Sequence, residues 1–207
     1  MDKRQRAREL AAESLNAGDP TAWFERLYRE GLDVVPWAEL RPNPNLLPLD
    51  GKGKTALVIG CGLGDDAQQL AKWGFVTTAF DISPTAIEKC RERFPESTVR
   101  YEVADLLNVP KDWRETFDFV LEIYTVQALP PAIRQRAIEG ASSFVKPGGK
   151  LLLVARGRDE TDPPGELPWP LTRRELLLFT QYGLREESFE DYIDEESVRR
   201  FRAVFTR

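Results

Sequence analysis

The stretch Thr-Ala-Leu-Val-Ile-Gly-Cys-Gly-Leu-Gly-Asp at residues 55–65 decides how the rest of the chain is interpreted. Its first five residues form an apolar run without polar alternation, which is typical of a central strand that is buried on both faces. Gly60, Gly62 and Gly64 follow at once, and residues 65–71 then have helical character. A strand, a glycine turn and a helix in this order predict the opening unit of a nucleotide-binding α/β sheet.

The glycine spacing indicates which nucleotide is bound. It is G-x-G-x-G, whereas dinucleotide-binding turns have G-x-G-x-x-G and seat a diphosphate on the helix N-terminus. Here the helix opens with Asp65 and Asp66, which would repel a diphosphate. The cationic nucleoside S-adenosylmethionine fits these carboxylates better. The second predicted strand, residues 75–80, ends in Asp81, 21 positions after Gly60, where a carboxylate can accept both ribose hydroxyls.

Length and composition predict one soluble domain. The chain has 207 residues, of which 42% are hydrophobic and 30% charged, and it contains neither a membrane-length apolar run nor a signal-type start. The net charge of −5 argues against a nucleic-acid-binding surface. Cys61 and Cys90 lack the spacing of a disulfide framework, so we expect reduced thiols in a cytoplasmic protein.

The chain contains no histidine. This excludes histidine-based triads, histidine-ligated metal sites and an imidazole general base, and we expect no metal site. Any reaction must use a substrate that is already nucleophilic, or a carboxylate or phenol as the base.

The hydrophobic pattern predicts a single-domain, Rossmann-like α/β sandwich of three layers. Its sheet is mostly parallel and has seven strands, at residues 55–59, 75–80, 99–104, 117–123, 151–155, 184–193 and 197–206, the last two forming an antiparallel hairpin at the edge. Helices are predicted at residues 65–71, 83–94, 131–145 and 172–182, with a turn at 146–149.

Residues 1–50 are predicted to form a helical lid over the cofactor, within the same domain as the binding region at 51–207. The first helix spans residues 2–16 and buries Ala7, Leu10, Ala11 and Leu15 on one face. The second runs from an N-cap at Asp19 to Tyr28. Because open sheets bind ligands at the carboxyl ends of their strands, the residues there are candidate site residues. They are Gly60, Asp81, Asp105, Glu122, Tyr124 and Arg156.

Four motifs together resemble the class I S-adenosylmethionine-dependent methyltransferases. They are the glycine motif at 58–64, Phe-Asp-Ile-Ser at 80–83, Ala-Asp-Leu at 104–106 and Val-Lys-Pro-Gly-Gly at 145–149. The resemblance covers about residues 20–207. It implies that S-adenosyl-L-methionine is the cofactor and that the chain is an enzyme.

The same resemblance implies roles for individual residues. Gly60, Gly62 and Gly64 would line the methionine moiety, Asp81 would hold the ribose, and Asp105 with Leu106 would hold the adenine. Cys61, Ile82 and Glu122 are assigned to the same cofactor site.

A narrower set of residues is similar to the thiopurine methyltransferase-like group, which includes thiol and halide methyltransferases. It comprises Trp23, Tyr28, Pro36, Trp37, Pro44 and Leu46, together with residues 117–120, 128–134 and 165–172. The chain departs from that group at Asp65, where relatives often have histidine, and at Glu122-Ile123-Tyr124, which replaces an Asp-Tyr pair. The resemblance implies a small soft nucleophile as acceptor: a thiol, hydrosulfide, halide or selenium analogue. Such an acceptor needs little help from a general base.

Several side chains carry hypotheses about the reaction. Trp23 and Trp37 are predicted to lie against the sulfonium and cover the methyl group, although aromatic residues at helical spacing are often core anchors. Tyr124 is the candidate catalytic phenol of the acceptor pocket. Arg156 and Arg158 are candidates to attract an anionic substrate, unless they are ordinary surface charges.

Other functions stay open at this point. The acceptor could be a small-molecule amine or hydroxyl or a metalloid oxyanion, and Glu122 or Tyr124 could then serve as the base. The glycine spacing disfavours a nicotinamide-dependent oxidoreductase, and a non-catalytic cofactor-binding protein is a further alternative. The expected partner is a small-molecule methyl acceptor, with neither nucleic acid nor membrane, and the expected state is a monomer or weak homodimer.

Overall fold

The computed structural model describes residues 2–207, which contain six α-helices, seven strands and three 3₁₀ segments. The helices are α1 (Lys3–Asn16), α2 (Ala22–Glu30), α3 (Asp65–Lys72), α4 (Pro84–Arg93), α5 (Pro131–Ser143) and α6 (Arg173–Leu177). The strands are β1 (Thr55–Ile59), β2 (Val76–Asp81), β3 (Arg100–Val103), β4 (Phe117–Ile123), β5 (Val145–Arg156), β6 (Arg185–Ile193) and β7 (Arg199–Thr206). The 3₁₀ segments are Lys111–Trp113, Val126–Ala128 and Leu178–Tyr182.

All seven strands form one sheet in the order β3-β2-β1-β4-β5-β7-β6. The first five strands are parallel, and β7 pairs antiparallel with both β5 and β6. This confirms the predicted sheet with its antiparallel hairpin at the edge. No helix within residues 2–207 is long and apolar enough to cross a bilayer.

The side chains of β1 alternate between two cores, one on each face of the sheet, which explains the three layers. Leu57 and Ile59 belong to the core between the sheet and α5, whereas Ala56 and Val58 belong to the core that includes α3 and α4. Each face of a strand presents every second side chain, so a strand covered on both faces is apolar throughout. The run at 55–59 therefore marks the centre of the sheet, as predicted.

The N-terminal helices pack together and share a core with the region around the glycine turn. Leu10 and Leu27 lie in this core with Leu63 of the glycine turn and Ala86 of α4. The predicted burial of Leu15 is wrong, since its side chain is 41% exposed and Ser14 is buried instead.

Helix α2 also begins later than predicted, at Ala22, with Thr21 as the N-cap residue. The Asp19 carboxylate nevertheless accepts hydrogen bonds from the backbone N–H groups of Thr21 and Ala22. The segment before the helix is therefore ordered by Asp19 without being helical.

The segment after α5 differs from the prediction. Helix α5 ends at Ser143, and β5 is already paired at Val145, opposite Phe117 of β4. The next pair joins Phe119 to Lys150, so residues 146–149 loop out as an irregularity within one long strand. The predicted turn is therefore embedded in β5. Gly149 fits there because a Cβ atom would lie 2.8 Å from the Phe117 carbonyl oxygen.

Candidate functional site

One cleft of about 260 Å³ lies at the carboxyl ends of the parallel strands, beneath α1, α2 and the loop that follows α2. This position is the expected one for a ligand site in an open α/β sheet. All the predicted site residues except Gly64 and Glu122 line it: Trp23, Trp37, Gly60, Cys61, Gly62, Asp81, Ile82, Asp105, Leu106 and Tyr124.

The glycine turn forms the floor of the cleft. Gly60 and Gly62 have φ values of 57° and 54°, in the left-handed region that L side chains rarely adopt. A Cβ atom on Gly60 would lie 2.3 Å from the Thr125 hydroxyl oxygen. Gly64 departs from the prediction, because it does not line the cleft and instead faces Tyr101, whose hydroxyl would lie 2.6 Å from an added Cβ. Glycine is required at position 64 because a side chain would overlap Tyr101 behind the turn.

The Asp81 carboxylate, the predicted ribose acceptor, is fixed by hydrogen bonds from the backbone. Its carboxylate accepts hydrogen bonds from the backbone N–H of Gly62 at 3.0 Å and of Ser83 at 2.9 Å. Each carboxylate oxygen has further acceptor capacity, so hydroxyl donors in the cleft could still bind it. Burial raises the pKa of Asp81 to about 6. Asp105, the predicted adenine-side acid, lines the cleft and accepts from the backbone N–H of Leu107 at 2.8 Å.

The two acids at the start of α3 have different environments. Asp65 forms a bidentate ion pair with Arg93, with N–O distances of 2.7 and 2.9 Å. Asp66 accepts a hydrogen bond from the backbone N–H of Asn43, and burial raises the pKa of Asp66 to about 6. Both line the cleft, but the Arg93 guanidinium offsets the charge of Asp65. The attraction for a cation that the sequence assigned to the pair therefore depends mainly on Asp66.

An aromatic wall faces the glycine turn. Trp23 is buried and stacks on Phe24, with ring centroids 3.9 Å apart, and Trp37 lies edge-on to Trp23 at 6.0 Å. The Trp37 indole N–H donates to the Tyr28 hydroxyl at 2.7 Å, which fixes the orientation of the half-exposed Trp37 ring. Tyr28 lines the cleft close to Gly62.

Helix α2 is tied directly to the turn after β2. The Glu25 carboxylate accepts hydrogen bonds from the Ser83 hydroxyl at 2.6 Å and from the Thr85 backbone N–H and hydroxyl at 3.1 and 2.8 Å. These bonds hold Trp23 and Phe24, which directly precede Glu25 on the same helix, against the strand end that carries Asp81. Nothing in the sequence alone singled out Glu25, because a surface carboxylate on an amphipathic helix is ordinary.

Tyr124 lies at the far end of the cleft with an uncommon backbone φ of 65°. Its hydroxyl accepts a hydrogen bond from the Asn45 side-chain amide at 3.1 Å, and its ring lies 4.8 Å from the Arg200 guanidinium carbon. Burial raises the pKa of the Tyr124 phenol. A phenol with a raised pKa is a poor general base, so the geometry favours a positioning contact over proton abstraction.

Glu122 does not reach the cleft, contrary to its predicted role. It is fully buried at the end of β4, where it accepts hydrogen bonds from the backbone N–H groups of Thr125 at 2.7 Å and Val126 at 2.9 Å. Burial raises the pKa of Glu122 to about 7. Its carboxylate thus orders the short 3₁₀ segment that follows β4.

Among the cleft residues that the sequence did not indicate are three with polar side chains: Arg4 from α1, Gln127 after β4 and Arg200 from β7. Arg156 lines the cleft as predicted, but Arg158 does not, because its guanidinium donates to backbone carbonyls of Pro170, Asp159 and Asp162. Only the strand register could reveal Arg200, which is opposite Arg156 in the antiparallel pair of β5 and β7.

Within residues 2–207 no group of three or more acidic or cysteine side chains is arranged to ligate a metal.

Comparison with known proteins finds similarity to methyltransferases. The methyltransferase domain family matches residues 56–149. A probable thiol methyltransferase 2 from Arabidopsis thaliana is 27% identical over 171 residues, which span 79% of this chain and 74% of that protein. A ubiquinone biosynthesis O-methyltransferase from Coxiella burnetii is 30% identical over 110 residues, which span 52% of this chain and 46% of that protein. The chain thus spans about half the length of the curated O-methyltransferases that it matches.

A solved structure from work on the conversion of a disulfide bond into a thioacetal group during echinomycin biosynthesis superposes with a TM-score of 0.75 at 22% identity. The superposition covers 90% of this chain and 91% of that chain. At this identity the likeness establishes the fold alone. The fold is the one that the glycine motif predicted.

Proposed function

We propose that this chain, which carries a methyltransferase domain of the S-adenosylmethionine-dependent class I type, transfers a methyl group from S-adenosyl-L-methionine to a small soft nucleophile. The acceptor class is a thiol, hydrosulfide, halide or selenium analogue. The proposal depends on the chemistry of the groups that line the cleft, and above all on how its carboxylates are used.

The observation that carries the proposal is the absence of an unengaged base among the described residues of the cleft. The chain has no histidine, and each carboxylate that lines the cleft already has a hydrogen-bond or ion-pair partner. These carboxylates are Glu39, Asp65, Asp66, Asp81, Asp105 and Glu196. A thiolate, hydrosulfide or halide brings its own lone pair and needs no proton removed.

The cofactor end of the cleft has the groups that this donor requires. Gly60 and Gly62 provide bare backbone, Asp81 provides an acceptor for ribose hydroxyls, and Asp66 provides negative charge near the turn. Asp105 and Leu106 lie at the next strand end, where the adenine would bind. When bound, S-adenosylmethionine supplies an electrophilic methyl group on a sulfonium, which an in-line nucleophile can take.

The protein's own contribution is to position the reactants and to exclude water. Trp23 and Trp37 cover the glycine turn, and a cation that contacts a Trp face gains up to about 2 kcal/mol when desolvated. Holding the nucleophile in line at near-attack distance contributes up to roughly 7 to 11 kcal/mol. Removing solvent from the anionic nucleophile adds to this effect.

A hydroxyl acceptor is the second candidate function, because the O-methyltransferase from Coxiella burnetii is similar over half of this chain. A hydroxyl must lose its proton, and Tyr124 is the candidate base in the cleft, despite its raised phenol pKa and the hydrogen bond that it accepts from Asn45. The two candidates therefore differ in whether the reaction needs a base from the protein.

The test measures S-adenosylhomocysteine release with iodide, hydrosulfide and aromatic thiols, in parallel with catechols and primary amines. We expect turnover with the first group and little with the second. Replacing Tyr124 with Phe should leave thiol turnover within about threefold, because no proton transfer depends on it. Turnover confined to catechols or amines, or absent with every acceptor despite cofactor binding, would overturn the proposal.

A further inference from the structure

Three arginine side chains from distant parts of the chain line the cleft together. Arg156 ends β5, Arg200 is its direct cross-strand partner on β7, and Arg4 comes from α1. Like charges directly opposite one another on a sheet are destabilising. An anion bound in the cleft would offset this repulsion between the guanidinium groups.

The three guanidinium groups are not neutralised equally. Arg200 is buried and bonds to the Asp194 carboxylate at 2.5 Å, with Glu196 a further 3.4 Å contact. Within residues 2–207, by contrast, the side chains of Arg4 and Arg156 form no ion pair and no hydrogen bond. The charged and titratable groups that face Arg156 are Arg4, Arg200, Tyr124 and Glu196.

Arg156 also loses solvent at this site. Burial lowers its pKa, and the positive charges of Arg4 and Arg200 lower it further. An arginine remains protonated under such conditions, so its partly buried charge costs folding free energy. A bound anion would reduce that cost. The unsatisfied partner of this cluster is therefore a negative charge.

Gln127 adds a neutral donor to the same wall. Its side chain is buried and lines the cleft, and its amide oxygen accepts from the Arg156 backbone N–H at 2.6 Å. This bond orients the amide, and the amide nitrogen has no partner within residues 2–207. Arg4, Arg156 and Gln127 thus offer donors to the cleft, and the Glu196 carboxylate, which also lines it, already contacts Arg200 at 3.4 Å.

The geometry of the donors selects the kind of anion. A guanidinium presents parallel N–H groups that match the two oxygens of a carboxylate, and such bidentate contacts are stronger and more directional than single ones. A halide or hydrosulfide has no paired oxygens and gains little from this fork. Resting on the proposed function, we infer that the acceptor carries a carboxylate or similar oxyanion apart from its nucleophilic atom, and that Arg156, assisted by Arg4, binds it.

The experiment compares 2-, 3- and 4-mercaptobenzoate with their methyl esters. Each ester keeps the thiol and the ring but lacks the charge. S-adenosylhomocysteine release gives kcat/KM for each pair, and calorimetry with protein saturated in S-adenosylhomocysteine gives binding without turnover. For at least one isomer the acid should be preferred by about tenfold or more, as expected for a charge-assisted hydrogen bond.

Variants identify the residue responsible. Arg156→Gln should abolish the preference for acid over ester, Arg156→Lys should restore part of it, and Arg4→Gln should reduce it because Arg4 is more exposed. Lys3→Gln is the matched control: Lys3 is exposed on the same turn of α1 and does not line the cleft, so this variant should keep the full preference.

The outcomes separate the inference from the proposed function. Thiol methylation with no difference between acid and ester, or a difference that survives Arg156→Gln, would overturn the inference and leave the proposed function intact. Acid-selective binding that depends on Arg156, without any methylation, would support the subsite and count against the proposed function.

Discussion

The two ends of the cleft are built in different ways. The end that we propose binds the cofactor, called the cofactor end below, comes from consecutive elements, β1 with its glycine turn, and β2 with Asp81 at its end. The end that we propose binds the acceptor, called the acceptor end below, is assembled from remote segments: Arg4 from α1, Tyr124 after β4, Arg156 from β5 and Arg200 from β7. One end is local in sequence and the other is not.

This difference separates what is general in the fold from what is particular to this chain. The cofactor end depends on backbone conformation, which a few glycines and an acid at fixed spacing can specify. The acceptor end depends on long side chains whose meeting requires the whole sheet and the N-terminal helices to be in place. Changes at the two ends should therefore affect different ligands, and the predictions below test that separation.

The largest effect is expected from Gly60→Ala. The new Cβ would occupy a left-handed residue and overlap the Thr125 hydroxyl at 2.3 Å, so the turn must shift. Strain and overlap together amount to about 3 kcal/mol, and S-adenosylhomocysteine should bind at least about 100-fold more weakly by calorimetry. Gly148→Ala provides the control, because Gly148 is also left-handed, with φ of 76°, but an added Cβ meets nothing within 4 Å. That variant should lose some stability and keep cofactor affinity; equal losses in both would contradict this account of the turn.

A smaller effect is expected from Trp37→Ala, which tests whether the aromatic wall recognises charge. If Trp37 contacts the sulfonium, S-adenosylmethionine should lose about 30-fold in affinity, the equivalent of about 2 kcal/mol. Neutral S-adenosylhomocysteine should lose much less. Leu40→Ala is the control, since Leu40 lies in the same loop, is 56% exposed and does not line the cleft. If the affinities for S-adenosylmethionine and S-adenosylhomocysteine fell equally, Trp37 would contribute packing without recognising the charge of the sulfonium.

The smallest effect is expected from pH. Because the pKa of Asp81 is raised to about 6, its carboxylate is charged at pH 8 and mostly protonated at pH 5. Protonation removes the charge that strengthens hydrogen bonds from the ribose hydroxyls, so S-adenosylhomocysteine should bind about tenfold more weakly at pH 5 than at pH 8. Asp81→Asn should flatten the profile. Asp66→Asn should retain it, and a profile that followed Asp66 instead would move the assignment to that residue.

Much of the fold could be predicted from the sequence. Strands β1, β4 and the final hairpin were located because apolar runs and β-rich patterns are local signals. The start of α2 and the burial of Leu15 were wrong, because Thr21 caps the helix and Ser14 takes the inward position. The loop at residues 146–149 was located but assigned outside β5, since strand pairing on both sides of it depends on β4.

The candidate site was predicted unevenly for a similar reason. Asp81, Asp105 and Trp37 were placed in the cleft because each belongs to a short motif. Glu122 was placed there wrongly, because its position at a strand end does not reveal that its carboxylate turns back to the N–H groups of residues 125 and 126. Whether the residues that line the cleft bind the cofactor remains a prediction that the variants above would test.

The sequence by itself determined the strand, glycine turn and helix of residues 55–72, the acid at Asp81 and the lack of any imidazole base. These follow from backbone preference, spacing and composition, which are properties of neighbouring residues or of the chain as a whole. Only the tertiary structure decided that Arg4, Arg156 and Arg200 line one cleft and that Glu25 of α2 bonds to the turn after β2. Long charged side chains are compatible with almost any surface, so their partners are set by the packing that surrounds them.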